Sequence, residues 1–189
     1  TDFDSPGQSP ASTDRTLARM VKKEYALAQV FSAPAAEAHL RGELHIHHLD
    51  QVDRLFSASH SPGHLARFGL GMPGARDFAG PARHADTLLA QMLKANETYQ
   101  DLFAEPPVWE AVNLFFAPFL HGWSEEDLRR FAQMVVYEFA YRALTLGTPG
   151  AGLRLCWRTP AALRGVEAIA PGGVPAGKPY EKFEHTAQQ

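Results

Sequence analysis

The segment from Ser124 to Leu146 places the strongest constraint on how this chain folds. It opens with Ser-Glu-Glu-Asp, a helix-capping sequence that puts negative charge at the positive end of the helix dipole. Apolar residues then follow at helical spacing on one face, and further apolar residues fill the other faces. The first set is Leu128, Phe131, Val135 and Phe139, and the second is Met134, Val136, Tyr137 and Tyr141. The sequence therefore predicts a central helix that is buried on nearly all sides.

Helical signals recur along much of the chain. Each predicted helix begins at an N-capping residue or at a proline in the first turn, and the long ones carry a regular apolar stripe. The predicted helices run from Thr13 to about Ser32, from Ala33 through Leu40, from Pro81 to before Pro106, and from Pro107 to about Pro118. Helices therefore dominate the predicted fold.

Strand signals are fewer. Residues Glu43 to His48 alternate polar and apolar side chains, and Leu153 to Trp157 form a second candidate strand. Ser, Gly and Pro are dense between Ser57 and Pro81, which predicts a long loop with one helical turn near His64 to Phe68. The end of the chain is predicted to be loop-like. The expected fold class is mainly α with a few short strands, that is, α+β.

The size and charge of the chain limit the classes of protein to which it can belong. A chain of 189 residues that is 45% hydrophobic and 21% charged suits one folded domain, predicted over 13–175 with tails at 1–12 and 176–189. A net charge of −3 gives no concentrated basic surface, so nucleic acid is not an expected partner. No apolar run approaches the roughly 20 residues of a membrane span. The single cysteine, Cys156, fits a reducing compartment, and we expect a cytoplasmic protein.

The histidine-rich segment offers a candidate metal site. On a strand, His45 and His47 would point to the same side, with Asp50 close behind, and His-x-His-x-x-Asp can ligate zinc or iron. The competing interpretation is a set of structural histidines satisfied by hydrogen bonds. We favour the second and predict no metal site, because the sequence has no His-Glu-x-x-His and no paired cysteines.

Two polar residues stand out on the predicted helix from Pro107. Glu110 and Asn113 lie three positions apart and would share a face otherwise surrounded by apolar residues. They either contact a ligand or satisfy neighbouring backbone groups. Cys156 falls within the second predicted strand, where burial would make its thiol inert.

Several motifs resemble the catalytic core of the anaerobic (class III) ribonucleoside-triphosphate reductases. Residues Ile46 to Asp50 resemble the family's Ile-His-Asp-Leu-Asp element, and Ala111 to Pro118 resemble its Ala-Val-Asn-Phe-Phe-Ala-Pro run. The similarity begins near Ser12 and extends to about Gly173. It implies an incomplete piece of a glycyl-radical-enzyme α/β barrel with ten strands, and a role in deoxyribonucleotide synthesis for DNA replication.

The resemblance also implies a set of sites and partners. His47, Asp50 and Asn113 would help shape the pocket for the nucleotide or the radical. The family uses a glycyl radical, a cysteine-ligated zinc and ATP or deoxynucleotide effectors, which the resemblance places outside this chain. Its subunits pair through helices, and a separate activase generates the radical. We therefore expect a nucleotide ligand, a homo-oligomer, and an activase partner only within a full-length reductase.

Three departures from the family pattern bear on activity. His48 stands where the family has the first Asp of its element, and Ser57 falls where relatives commonly have a pocket cysteine. Gly147 to Gly150 replace a Gly-Gly-Gln turn. A hydroxyl cannot replace a redox-active thiol, so we expect no turnover by this chain alone and assign no catalytic residue. Two alternatives remain open, a non-catalytic relative that oligomerises or regulates, and a small histidine-dependent metalloprotein.

Overall fold

The structure, a computed structural model of the chain, describes residues 10–71, 78–99, 102–145 and 151–189. It is mainly helical with a few short strands, which confirms the predicted fold class. The chain divides into two compact units, Thr1–Phe56 and Ser57–Gln189. The prediction of one domain over 13–175 stays a prediction. Among the helices of the described residues, none combines the length and the apolar character that crossing a membrane requires.

The first unit is built from two helices and a turn. Helix α1 spans Pro10–Tyr25 and continues as a π-helix over Ala26–Val30. Helix α2, Ala33–Leu40, has the predicted bounds, with Ser32 as its N-cap and a proline in its first turn. A short 3₁₀ helix follows at Leu49–Gln51.

The strand predicted over Glu43 to His48 is wrong, because this segment forms turns and bends. Its backbone donors are used locally. The amide of Glu43 donates to Ala38 O at 2.9 Å, and the amide of Ile46 donates to Nδ1 of His39 at 3.2 Å. His48 has a φ of 54°, in the left-handed region that no extended strand uses.

The second unit contains a three-stranded parallel sheet. Strands β1 (Ser59–His60), β2 (Val108–Trp109) and β3 (Gly152–Leu153) lie in the order β1-β2-β3, with Ser59, Val108 and Gly152 in register. Parallel strands need long crossovers, and helices provide them here. Between β1 and β2 lie α3 (Pro62–Phe68) and α4 (Ala85–Tyr99), and between β2 and β3 lie α5 (Val112–Leu120) and α6 (Glu125–Thr145).

Helix α5 occupies the centre of the core, a place that the sequence assigned to α6. All but two residues of α5 are buried, and Pro118 lies inside the helix without ending it. In the part of α6 whose side chains are described, 125–141, only the stripe of Leu128, Phe131, Val135 and Phe139 is buried. Val136 and Tyr137 are 65% and 60% exposed, since the core covers one face only. The prediction of a helix buried on nearly all sides is therefore wrong.

The helix predicted from Pro107 also begins too early. Residues 108 and 109 form β2, and Ala111 has a φ of 50°, which breaks the path between the strand and α5. Glu110 and Asn113 therefore do not share a helix face. The strand predicted over Leu153 to Trp157 shortens to β3, because the amide of Cys156 donates to the Asn113 side chain instead of to a strand.

The carboxyl end, predicted to be loop-like, is folded. Helix α7 (Ala161–Arg164) precedes an antiparallel pair, β4 (Glu167–Ala170) and β5 (Val174–Pro179), and the chain ends in a 3₁₀ helix (Tyr180–Phe183) and α8 (Glu184–Gln188). Tyr180 and Phe183 are buried in a cluster with Leu114 and Phe115 of α5. These two aromatic side chains anchor 176–189, the stretch expected to be a tail.

Candidate functional site

The three-stranded parallel sheet brings together polar side chains from distant parts of the sequence. Glu110 follows β2, Arg154 follows β3, and Ser59 lies in β1. Oε1 of Glu110 accepts hydrogen bonds from Ser59 Oγ at 2.9 Å and Arg154 Nη1 at 2.8 Å, and its Oε2 lies 3.0 Å from the same nitrogen. Open α/β folds place ligands at the carboxyl ends of the strands, and Glu110 and Arg154 directly follow two of these ends. We call Ser59, Glu110 and Arg154 the strand-end cluster.

His60 lies beside the strand-end cluster in an aromatic environment. Its ring stacks on Tyr99 with centroids 4.4 Å apart, and Trp109 lies 5.6 Å away. Burial lowers the pKa of the imidazole, because a low-dielectric surrounding disfavours the charged form. Nε2 of His60 and Nε1 of Trp109 are buried and have no hydrogen-bond partner in the part of the chain that the structure describes. A neutral histidine is therefore favoured here.

Asn113 uses its amide to join three segments of the second unit. Its Nδ2 donates to Cys156 O at 2.9 Å and to Ala187 O at 2.8 Å, and its Oδ1 accepts from the Cys156 amide at 2.9 Å. Both amide donors are thus engaged with backbone groups. The side chain fixes the segment after β3 and helix α8 against α5. Oδ1 keeps one acceptor position for a further contact.

His47 and Asp50 lie in the first unit, His47 in residues 43–48, which we call the histidine-rich turn, and Asp50 in the 3₁₀ helix Leu49–Gln51. The rings of His45 and His47 meet edge-on with centroids 4.5 Å apart, and His47 is exposed. Asp50 Oδ2 lies 3.4 Å from Nε of Arg19. Asp50 also lines a cavity of about 340 Å³ that His47 does not line. The third predicted site residue, Asn113, belongs to the second unit.

The histidine-rich turn does not form the ligand set that its spacing allowed. Among the described residues, no group of three or more His, Cys, Asp or Glu side chains is placed to hold a metal ion. The alternation that would have aimed His45 and His47 to one side required a strand, and the segment is not a strand.

A larger cavity of about 870 Å³ lies in the second unit between the starts of α4 and α6. Arg83, His84, Trp123 and Arg130 are among its lining residues. Sequence reasoning missed this cavity and the strand-end cluster, because their members come from separate segments. Strands of two residues are too short to show an alternation of polar and apolar side chains. The signal in the sequence was limited to polar residues next to short apolar runs.

The family comparison covers nearly the whole chain. Residues 5–188 match the family model described as anaerobic ribonucleoside-triphosphate reductase. The chain belongs to this family. Comparison with curated protein sequences finds no match.

Solved structures show where this fold occurs. The anaerobic ribonucleotide reductase of Thermotoga maritima in complex with dATP and CTP matches with a TM-score of 0.68 and 11% identity, over 94% of this chain and 32% of that one. The same enzyme with citrate in its active site matches with a TM-score of 0.61 and 11% identity, over 93% and 33% of the two chains. The chain thus has the fold of part of an anaerobic ribonucleotide reductase and spans about a third of the length of these structures.

Proposed function

We propose that this chain forms part of the nucleotide-binding region of an anaerobic ribonucleotide reductase that serves deoxyribonucleotide synthesis in the cytoplasm. The observation that carries the proposal is the family match over residues 5–188. The Thermotoga maritima relative with the same fold is described in complex with dATP and CTP. By this proposal His47, Asp50 and Asn113 contribute to the pocket for the nucleotide.

The three residues would contribute in different ways. His47 is exposed and offers an imidazole that can donate or accept a hydrogen bond. Asp50 would act through Arg19, whose guanidinium it holds, so that this cation stays in place for a ligand. Asn113 would act as a positioning residue, because its donors already hold the backbone of Cys156 and Ala187.

We further propose that these 189 residues do not reduce ribonucleotides by themselves. The sequence contains one cysteine, and the amide of Cys156 is bonded to Asn113. The described residues hold no group that suits the zinc ion of the family, so no step is assigned to that metal. A glycyl radical and the activase that generates it would come from outside the stretch 1–189.

Calorimetry with wild-type protein and matched histidine variants tests the nucleotide proposal. We expect measurable heat with a ribonucleoside triphosphate or a deoxynucleotide, and binding about tenfold weaker in His47→Ala, as for the loss of one good hydrogen bond to a charged group. His185→Ala, which changes an exposed histidine of α8, is the control and should bind as the wild type does. No heat with any nucleotide would refute the proposal.

A second candidate role is self-association, with α6 as the contact. Its outer face exposes Met134, Val136, Tyr137 and Tyr141, and the rings of the two tyrosines stack 5.6 Å apart. Exposed apolar groups of this kind mark interaction sites, and the resemblance implies subunits that pair through helices. We therefore propose a second copy of this chain as the partner.

Light scattering over a concentration series tests this second role. We expect a dimer that dissociates in Val136→Glu, because the introduced charge would be buried without a partner. Val174→Glu on β5, another exposed position, is the matched control and should leave the dimer intact. A wild-type protein that stays monomeric at high concentration would refute the role of α6.

A further inference from the structure

The cavity of about 340 Å³ in the first unit has a wall that is rich in hydrogen-bond donors. Its polar lining consists of Arg19 and Lys23 from α1, His39 from α2, His45 and His48 from the histidine-rich turn, and Asp50. Two permanent cations and three imidazoles thus face a single carboxylate. Such a balance favours an anionic ligand over a cation.

The positive charge of this wall is only partly neutralised. Asp50 contacts Arg19 through one guanidinium nitrogen, Nε, at 3.4 Å. Among the residues that the structure describes, Lys23 makes no ion pair. Its neighbour Lys22 is different, because its Nζ donates to Asp53 Oδ2 at 2.8 Å and it does not line the cavity. The ammonium of Lys23 is therefore the lining cation with no anion to balance it.

One imidazole of the wall has a fixed tautomer. Nδ1 of His39 accepts a hydrogen bond from the backbone amide of Ile46 at 3.2 Å, so Nδ1 carries no proton. In the neutral ring the proton must then reside on Nε2, which makes that atom a donor. His39 thus adds a hydrogen-bond donor to the two cations, as an oxyanion requires.

We infer that this cavity binds a phosphate oxyanion, with Lys23 as the principal counter-charge. The inference rests on the proposed function and deepens it, because it assigns the phosphate end of a nucleotide to the unit that also contains His47 and Asp50. The volume lies within the range of small-molecule sites. Arg19 supplies planar donors, and Lys23 supplies a compact point charge.

Binding of inorganic tripolyphosphate to the full chain tests the inference. We expect saturable binding at low ionic strength that weakens as salt is added, since exposed charges are screened. Lys23→Ala should weaken binding about tenfold, the lower end for a charge-assisted hydrogen bond, and Lys23→Glu should abolish it. Lys22→Ala makes the same charge change one residue away and should stay within about twofold.

Comparison of these variants separates a specific site from a general effect of charge. Equal losses in Lys22→Ala and Lys23→Ala would overturn the inference, as would the absence of any binding by tripolyphosphate. Circular dichroism should be unchanged in all three variants, because neither lysine is buried.

Two further ligands, a nucleoside triphosphate and orthophosphate, identify the source of the phosphate group and separate this inference from the proposed function. Nucleoside triphosphate that binds more tightly than tripolyphosphate and depends on Lys23 supports both. Nucleotide binding that is equally tight in the wild type and in Lys23→Ala overturns the cavity assignment but remains consistent with the proposed function. Tripolyphosphate binding that depends on Lys23, without heat from any nucleotide, supports the cavity and refutes the proposed function. Orthophosphate that binds as well as tripolyphosphate supports a site for a single phosphate group.

Discussion

Nη1 of Arg154 lies within 3.0 Å of both carboxylate oxygens of Glu110, and this ion pair joins the ends of β2 and β3. The side chain of Arg154 is 64% exposed, whereas that of Glu110 is 29% exposed. Solvent therefore screens the pair, and its contribution to stability must be discounted accordingly. The contact aligns two strands that are each only two residues long.

We expect a double-mutant cycle with Glu110→Gln and Arg154→Ala to give a coupling free energy of about 0.5 to 1 kcal/mol. Urea unfolding at low and high salt measures this value, which should shrink as salt is added. The control is the more exposed pair Glu125 and Arg129 on α6, for which the coupling should be smaller. A coupling that is independent of salt would contradict the screened arrangement.

Asn113→Ala should destabilise the second unit by about 2 to 3 kcal/mol, because it leaves backbone groups of Cys156 and Ala187 without partners in a partly buried place. Denaturant unfolding gives the free energy, and hydrogen exchange at the Cys156 amide should become faster. Asn96→Ala is the matched truncation, and it should destabilise the unit less, since the buried Oδ1 of Asn96 has no hydrogen-bond partner among the residues that the structure describes. Equal costs would show that Asn113 contributes only packing.

Helix starts were predictable from the sequence where local chemistry determines them. Ser124 Oγ accepts a hydrogen bond from the backbone amide of Asp127 at 3.2 Å, as the capping sequence predicts. Helix α2 likewise begins near its proline. What a helix packs against is not a local property, so the apolar residues on every face of α6 did not reveal which face is buried.

The sites were less predictable because unusual backbone conformations build them. Ala111 and His48 have φ values of 50° and 54°, and neither residue signals a left-handed conformation as glycine would. The first separates β2 from α5, and the second is incompatible with the strand predicted through His48. Arg154 and Ser59 reach Glu110 because three short strands pair in a particular register. The periodicity of apolar residues in the sequence does not predict this register.

The pKa of His60 leads to a pH dependence with a definite sign. Burial lowers this pKa below its ordinary value in the folded state, so the unfolded chain takes up the proton first as the pH falls. The contribution of His60 to stability is therefore complete above about pH 6.5, the usual histidine value, and declines below it. His60→Phe keeps an aromatic ring beside Tyr99 and should remove this part of the decline. Urea unfolding at pH 7.5 and 5.5 measures the difference, with His185→Phe as the control. An unchanged slope in His60→Phe would contradict the assignment.

Glu184 should make the docking of α8 sensitive to acid. Its Oε2 accepts hydrogen bonds from the amide and hydroxyl of Thr159 at 2.7 and 2.9 Å, and the bond from the amide is the main cause that lowers the carboxyl pKa. A lowered carboxyl pKa contributes stability above the unfolded value, and this contribution is lost as the pH falls through the folded value. The protection factor of the Thr159 amide against hydrogen exchange should therefore fall as Glu184 takes up its proton, at a pH below about 4.3, the ordinary glutamate value. In Glu184→Gln the exchange should be faster at neutral pH and show no such transition, while Glu181→Gln, on an exposed neighbour, should behave as the wild type. If the transition persists in Glu184→Gln, another carboxyl must hold the segment.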